Sequence, residues 1–244
     1  MIAIRRASFF SRGAIAFGAI LGLQCAAGSS LPVTPEVLDG GSPGWAVPDE
    51  SLETQRLFRV RYEGQEGRGG MKLVLKLASE SWFQVSTSDA LGRPLWSLQA
   101  REGESLLIDH RGRQFCSGEQ VRLPDPVLEA MPWESLPRVL LGFLPTMPDT
   151  IVQSSADAIE FQSFDGRRWT ARLDAGRPLS WALWEMDRPV LWWSRQADGG
   201  LLSHRQGIQI KWREVVNERL RAPLEDLQVP TGYQPSICDA SHLP

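Results

Sequence analysis

The chain has 244 residues, 42% hydrophobic and 23% charged, which fits one globular domain with appendages and not a disordered or fibrous chain. The formal net charge is −3; without Arg5, Arg6 and Arg12 near the N-terminus, 23 basic residues face 29 acidic ones, a net of −6. Neutralising phosphates needs a basic patch, so this balance argues against a nucleic-acid partner. Ten Trp beside only two Tyr call for a broad core or an apolar cavity to line.

Residues 1–24 read as an export signal: the three arginines precede an apolar run, Ala14–Leu23, that is shorter than the ~20 residues a spanning helix needs. Gly22-Leu23-Gln24-Cys25 resembles a bacterial lipobox, which makes Cys25 the expected lipidation site; cleavage after Ala27 is the rival. Several acyl chains on one cysteine anchor firmly, whereas one binds weakly. Residues 25–50, rich in Gly, Ser and Pro without apolar period, read as a flexible linker. Ser51–Gln55 reads as a short helical start with Ser51 as cap.

The domain expected over residues 51–217 opens with strands. Arg56–Tyr62 alternates, with Phe58, Val60 and Tyr62 on one face. Met71–Leu77 alternates more cleanly, with Met71, Leu73, Leu75 and Leu77 inward. Period two means one buried and one wet face, hence antiparallel strands. Gly64–Gly70 reads as a flexible hairpin loop. Ser81–Arg122 then reads strand, turn, strand, turn, strand, with the first turn at Asp89-Ala90-Leu91-Gly92-Arg93 and a later one at His110-Arg111-Gly112. A turn tip faces water and is normally polar, so Leu91 stands out: it folds back on the strands, sits there without meaning, or touches something apolar outside.

Beyond Pro124 the pattern changes. Pro126–Met131 reads as a short helix. Trp133, Leu136, Leu140 and Phe143 then fall on one helical face, which Gly142 and Pro145 end. Strands resume over Ala158–Phe164, Arg168–Leu173, Leu179–Met186, Val190–Arg195 and Gly207–Val215, with Asp198-Gly199-Gly200 among the turns. The count is about eleven strands. The expected fold is mainly β with covering helices: an incomplete, strongly curved antiparallel β-barrel whose concave side takes a helical plug. Residues 218–244 read as a tail pinned back on the domain.

Two of the three cysteines, Cys116 and Cys238, form an even pair once Cys25 is set aside. In an oxidising compartment they could form a disulfide tying the tail to the sheet; the rival is two unlinked buried thiols. None of His110, His204 and His242 sits at metal-ligand spacing, and no hydrolase, zinc-protease or P-loop motif occurs. Asp109-His110 reads as a solvated turn and not a catalytic dyad. The chain is therefore expected to have no enzyme activity, metal or cofactor.

Four patches, in this order and spacing, resemble the LolB family of outer-membrane lipoprotein receptors: Asp89-Ala90-Leu91-Gly92; Leu106-Leu107-Ile108-Asp109 with Gly112-Arg113-Gln114-Phe115; Met131–Leu136 leading to Leu140–Pro145; and Ile208-Gln209-Ile210-Lys211-Trp212. The resemblance spans about Arg56 to Val215. It implies an incomplete barrel closed by helices, with an apolar cavity for lipoprotein acyl chains, a soluble LolA-like periplasmic carrier as partner, and a periplasm-facing place on the outer membrane. It also implies a membrane-inserting role for Leu91. Expected cavity-lining residues are Phe58, Val60, Leu73, Leu75, Phe83, Val85, Trp96, Leu98, Leu136, Leu140, Trp181, Leu183, Ile210 and Trp212. Apolar inward faces without a catalytic group suit a greasy ligand. The alternative is a structural or interaction lipoprotein with the same fold and a packed core.

Overall fold

The computed structural model describes residues 52–64, 67–118, 121 and 133–236. The signal, Cys25, the linker, the expected Pro126–Met131 helix and Cys238 lie outside them. The described strands are β1 (Thr54–Gly64), β2 (Gly67–Ser79), β3 (Trp82–Ser88), β4 (Pro94–Arg101), β5 (Glu104–Asp109), β6 (Gln114–Gly118), β7 (Thr150–Ser154), β8 (Ala158–Gln162), β9 (Arg168–Asp174), β10 (Arg177–Glu185), β11 (Arg188–Gln196), β12 (Gly199–His204), β13 (Gln209–Arg219) and β14 (Gln234–Pro235); helix α1 is Ser135–Leu140.

All fourteen strands join one sheet in the order β14-β6-β5-β4-β3-β2-β1-β13-β12-β11-β10-β9-β8-β7. Neighbours are antiparallel except β14, which runs parallel to β6. The two halves of the chain meet where β1 pairs with β13, Val60 opposite Trp212. The sheet is mainly hairpins, is not closed on itself, and accords with an incomplete barrel.

The count of about eleven strands is corrected to fourteen. All five residues of Thr150–Ser154 are exposed, so no alternation marks it. Gly199 and Gly200, expected in the turn after Asp198, belong to β12. A Cβ on Gly199 would collide with the Trp212 carbonyl, and one on Gly200 with the Trp193 and Trp212 rings. Gly199 thus lets the β13 backbone come close, and Gly200 leaves room for the Trp193 and Trp212 rings. At the N-terminal end, Thr54 and Gln55 are strand and not helix, and the expected loop at Gly64–Gly70 is mostly paired strand, with Gly64 opposite Gly67.

Helix α1 lies on the inner face. Pro137 is tolerated because a first-turn N–H has no helical partner. Gly142, at φ 81°, turns the chain just beyond it, with the Trp193 ring in contact range. Trp212 Nε1 donates to the Leu140 carbonyl at 3.3 Å. Every helix residue is buried, including Arg138, which donates to the Leu144 carbonyl at 2.8 Å and pairs with Glu80 at 2.6 Å.

After β13 the chain crosses the outer face. Gln84, which alternates with core Phe83 and Val85, is buried there and donates to the Glu225 carbonyl; Leu227 N–H donates to Gln99 Oε1 at 2.6 Å. Buried Leu224 and the β14–β6 pairing complete this cover.

Candidate functional site

The β3–β4 turn is built to hold Leu91 outward. Gly92 N–H donates to the Asp89 carbonyl and Asp89 N–H to the Arg93 carbonyl, both at 3.0 Å. Asp89 Oδ1 accepts from the N–H groups of Leu91 (2.9 Å) and Arg93 (3.0 Å), while Oδ2 accepts Arg93 Nε at 2.6 Å. Gly92 takes φ 83°, a conformation that favours glycine. Desolvation would raise the Asp89 pKa, but the hydrogen bonds from Arg93 and Leu91 outweigh it and hold the carboxyl below its ordinary value. Leu91 itself is 80% exposed, with no side-chain role in the turn.

The expected cavity-lining residues come together on the inner face. Thirteen of the fourteen are at most 8% exposed and join one hydrophobic cluster; Trp96 is partly buried against it. Across β8–β11 the cluster contains an aromatic ladder. Phe161 stacks on Trp169 (6.4 Å, 11°), Trp169 meets Trp181 edge-on (5.6 Å, 72°), and Trp181 stacks on Trp193 (6.0 Å, 17°). The indole N–H groups of Trp181 and Trp193 are buried without a hydrogen-bond partner.

A groove of about 490 Å³ crosses β8–β11. Its outward residues, among them Ala158, Thr170, Ser180, Ala182 and exposed Trp192, alternate with core Ile159, Ala171, Trp181 and Trp193. The groove is therefore mainly a feature of the face opposite α1, and Trp181 alone of the expected lining residues borders it. A second groove, about 590 Å³, runs between the C-terminal segment and Gln55, Lys76 and Gln84, with polar walls.

His110 is half-buried, not solvated as its turn position implied. Ser97 Oγ lies 3.0 Å from its Nε2 and Tyr233 Oη 3.2 Å from its Nδ1. The Asp109 carboxylate is taken by the N–H groups of Arg111 and Gly112, at 2.9 and 3.0 Å. His110 Nδ1 thus faces Tyr233 and not the Asp109 carboxylate, so the Ser-His pair lacks the orienting acid of a triad. Cys116 is buried on β6. Ser236, two residues short of Cys238, donates from its backbone to the neighbouring Phe115 carbonyl at 2.8 Å.

Two exposed apolar residues escaped the sequence reading: Phe164 and Met186, at 94% and 93% exposure. The Gly-Arg ending of Ser163-Phe164-Asp165-Gly166-Arg167 matches that of residues 89–93 and marks a similar turn, with Phe164 at the place of Ala90.

Neither a protein-family profile nor a curated protein matches the chain. Among solved structures, it is similar to a domain provisionally described as an outer membrane lipoprotein-sorting protein from Vibrio parahaemolyticus. The TM-score is 0.50 at 10% identity, over 70% of this chain and 87% of that one. A LolA superfamily protein from Nitrosomonas europaea aligns with TM-score 0.47 and 8% identity, over 76% and 91% of the two chains. A DUF1329 family protein from Desulfovibrio piger aligns with TM-score 0.46 and 10% identity, over 73% and 89%. The first of these likenesses shows the fold alone: a single-sheet, incompletely closed half-barrel.

Proposed function

We propose that this chain is a non-enzymatic lipid carrier, anchored through Cys25 and facing the periplasm from the outer membrane. It takes lipoprotein acyl chains from a soluble LolA-like carrier onto the apolar inner side of its sheet and hands them to the membrane, with Leu91 entering the bilayer. The observation that carries this reading is Leu91: a large apolar side chain, 80% exposed, on a turn whose hydrogen bonds keep it off the strands. Inserting it contributes about 1.5–3 kcal/mol, enough to steer but not to anchor. Acyl burial contributes about 0.8 kcal/mol per methylene, so a well-lined carrier can compete with a bilayer for its cargo. The likeness to a lipoprotein-sorting domain supports the same reading.

Titration with a fluorescent fatty-acyl probe tests it: saturable binding displaced by palmitate is expected. Absence of displaceable binding overturns the carrier reading in favour of a structural or interaction lipoprotein. The burial of thirteen expected lining residues in one cluster speaks for that second reading.

A further inference from the structure

Leu91 is not the most exposed apolar side chain; Phe164 and Met186 exceed it. Strand order puts all three at one end of the sheet. Because β1 through β6 and β7 through β13 alternate in direction and β1 is antiparallel to β13, the turns β3–β4, β5–β6, β8–β9, β10–β11 and β12–β13 share one rim. The turns β2–β3, β4–β5, β7–β8, β9–β10 and β11–β12 share the other.

Two of the three apolar rim turns share a backbone frame. The Phe164 turn has the frame of the Leu91 turn: Gly166 N–H donates to the Ser163 carbonyl at 2.7 Å and Ser163 N–H to the Arg167 carbonyl at 3.0 Å, with Gly166 at φ 78°, while Phe164 stands at the place of Ala90, one residue before that of Leu91, and the acceptor carboxylate is Asp165. The third turn is the two-residue loop Met186-Asp187. Met186 sits at φ 54°, where asparagine, aspartate or glycine suits a hairpin and methionine does not. Local turn chemistry explains none of these three apolar tips. Each is followed within three residues by an arginine: Arg93, Arg167 and Arg188.

Charge divides the same way. Among the described turn residues the apolar rim carries Arg93, Arg111, Arg113, Arg167 and Arg205 against three aspartates; the opposite rim carries Glu80, Glu102, Asp157 and Asp198 and no base. By their turn residues alone, one edge is net basic and apolar and the other net acidic and polar, although Arg101 and Arg177 stand at strand ends of the second. Arg93, Arg167 and Arg205 pair with Asp89, Asp165 and Glu185; a phospholipid surface fits the first edge, where apolar tips reach the acyl boundary while Arg111 and Arg113 meet phosphates, and the acidic turns are repelled.

We infer that this rim is a three-point docking surface for an anionic phospholipid bilayer, with Leu91, Phe164 and Met186 inserting together and holding the sheet end-on to the membrane. The inference rests on the proposed delivery role for its setting but requires no cargo.

Hydroxyl-radical footprinting of the full chain, with and without phosphatidylethanolamine–phosphatidylglycerol vesicles, tests it, because Met, Phe and Leu side chains all report by mass. Oxidation of Leu91, Phe164 and Met186 is expected to fall severalfold together. Leu179 and Val216, towards the opposite end, should keep their oxidation. Protection should weaken in phosphatidylcholine vesicles and in high salt. Protection of Leu91 alone overturns the three-point surface and leaves single-turn delivery standing. Protection only with a periplasmic protein extract, and not with vesicles, overturns it in favour of a protein partner. A chain that shows the three-site footprint but no displaceable acyl-probe binding keeps the rim and loses the carrier reading. Phe164→Glu with Met186→Glu should bind the probe as before and lose vesicle protection at Leu91; retained protection there contradicts the inference.

Discussion

Asp89 and Arg93 close the neck of the β3–β4 turn, Nε to Oδ2 at 2.6 Å, with Leu91 between them at the tip. Both partners belong to a water-facing turn, so the pair contributes little to global stability and much to where Leu91 points. Asp89→Ala removes the acceptor for two backbone N–H groups and the guanidinium. It should leave the melting temperature nearly unchanged and slow acyl transfer to vesicles, whereas Asp89→Asn, which keeps one oxygen acceptor, should transfer at an intermediate rate.

Gly200→Ala should destabilise the fold. The added methyl meets the Trp193 and Trp212 rings, and overpacking of this kind costs about 1–3 kcal/mol. In a thermal melt that is a drop of roughly 2–4 °C per kcal/mol at this chain length. Alanine at Gly70, where the built Cβ meets only the Val60 carbonyl at 3.5 Å, should cost far less, and an equally strong effect there would contradict the ring contact as the cause.

The C-terminal segment should loosen in acid. Burial lowers the pKa of His110 below its ordinary 6.5, partly opposed by the nearby Asp109 charge, so the folded state prefers the neutral imidazole. The unfolded chain therefore takes up the proton first. The stability from this group is present above about pH 6.5 and is lost as pH falls through the lower folded value. Proteolytic cleavage within residues 220–236 should rise between pH 7.5 and 5 in the wild type, and His110→Gln should flatten that rise. An unchanged rise in the variant contradicts the assignment.

Cys116 and Cys238 should be linked after export. The parallel β14 brings the chain to Phe115, beside one cysteine and two residues before the other. Non-reducing peptide mapping should recover the joined fragments, and Cys238→Ser should lower stability by up to about 4–5 kcal/mol in the chain-entropy account of so long a loop. Recovery of both peptides unlinked from oxidised protein rules the bond out.

Much of the sheet was legible because one-sided burial imposes period two. Met71–Leu77 and Ile208–Trp212 show it plainly, and Leu73, Leu75, Ile210 and Trp212 are all in the core. Trp133, Leu136, Leu140 and Phe143 are likewise buried, as a single helical face would be, although the helix itself is only Ser135–Leu140. Elements escaped where another cause set the residue. Thr150–Ser154 is an exposed edge strand, and Gln234–Pro235 is two residues held by a distant partner. Gly199-Gly200 look like a turn, but the first admits the β13 backbone and the second two tryptophan rings. The Leu91 turn was readable as one odd residue, whereas its kinship with Phe164 and Met186 depends on strand directions, which no local pattern encodes.

Transfer of a bound fluorescent acyl chain to phospholipid vesicles, compared between wild type and Leu91→Glu, addresses delivery by this rim most directly. The account predicts equal probe affinity in the two proteins and a severalfold slower transfer in the variant. Transfer at the wild-type rate by Leu91→Glu, with cargo equally bound, would contradict it.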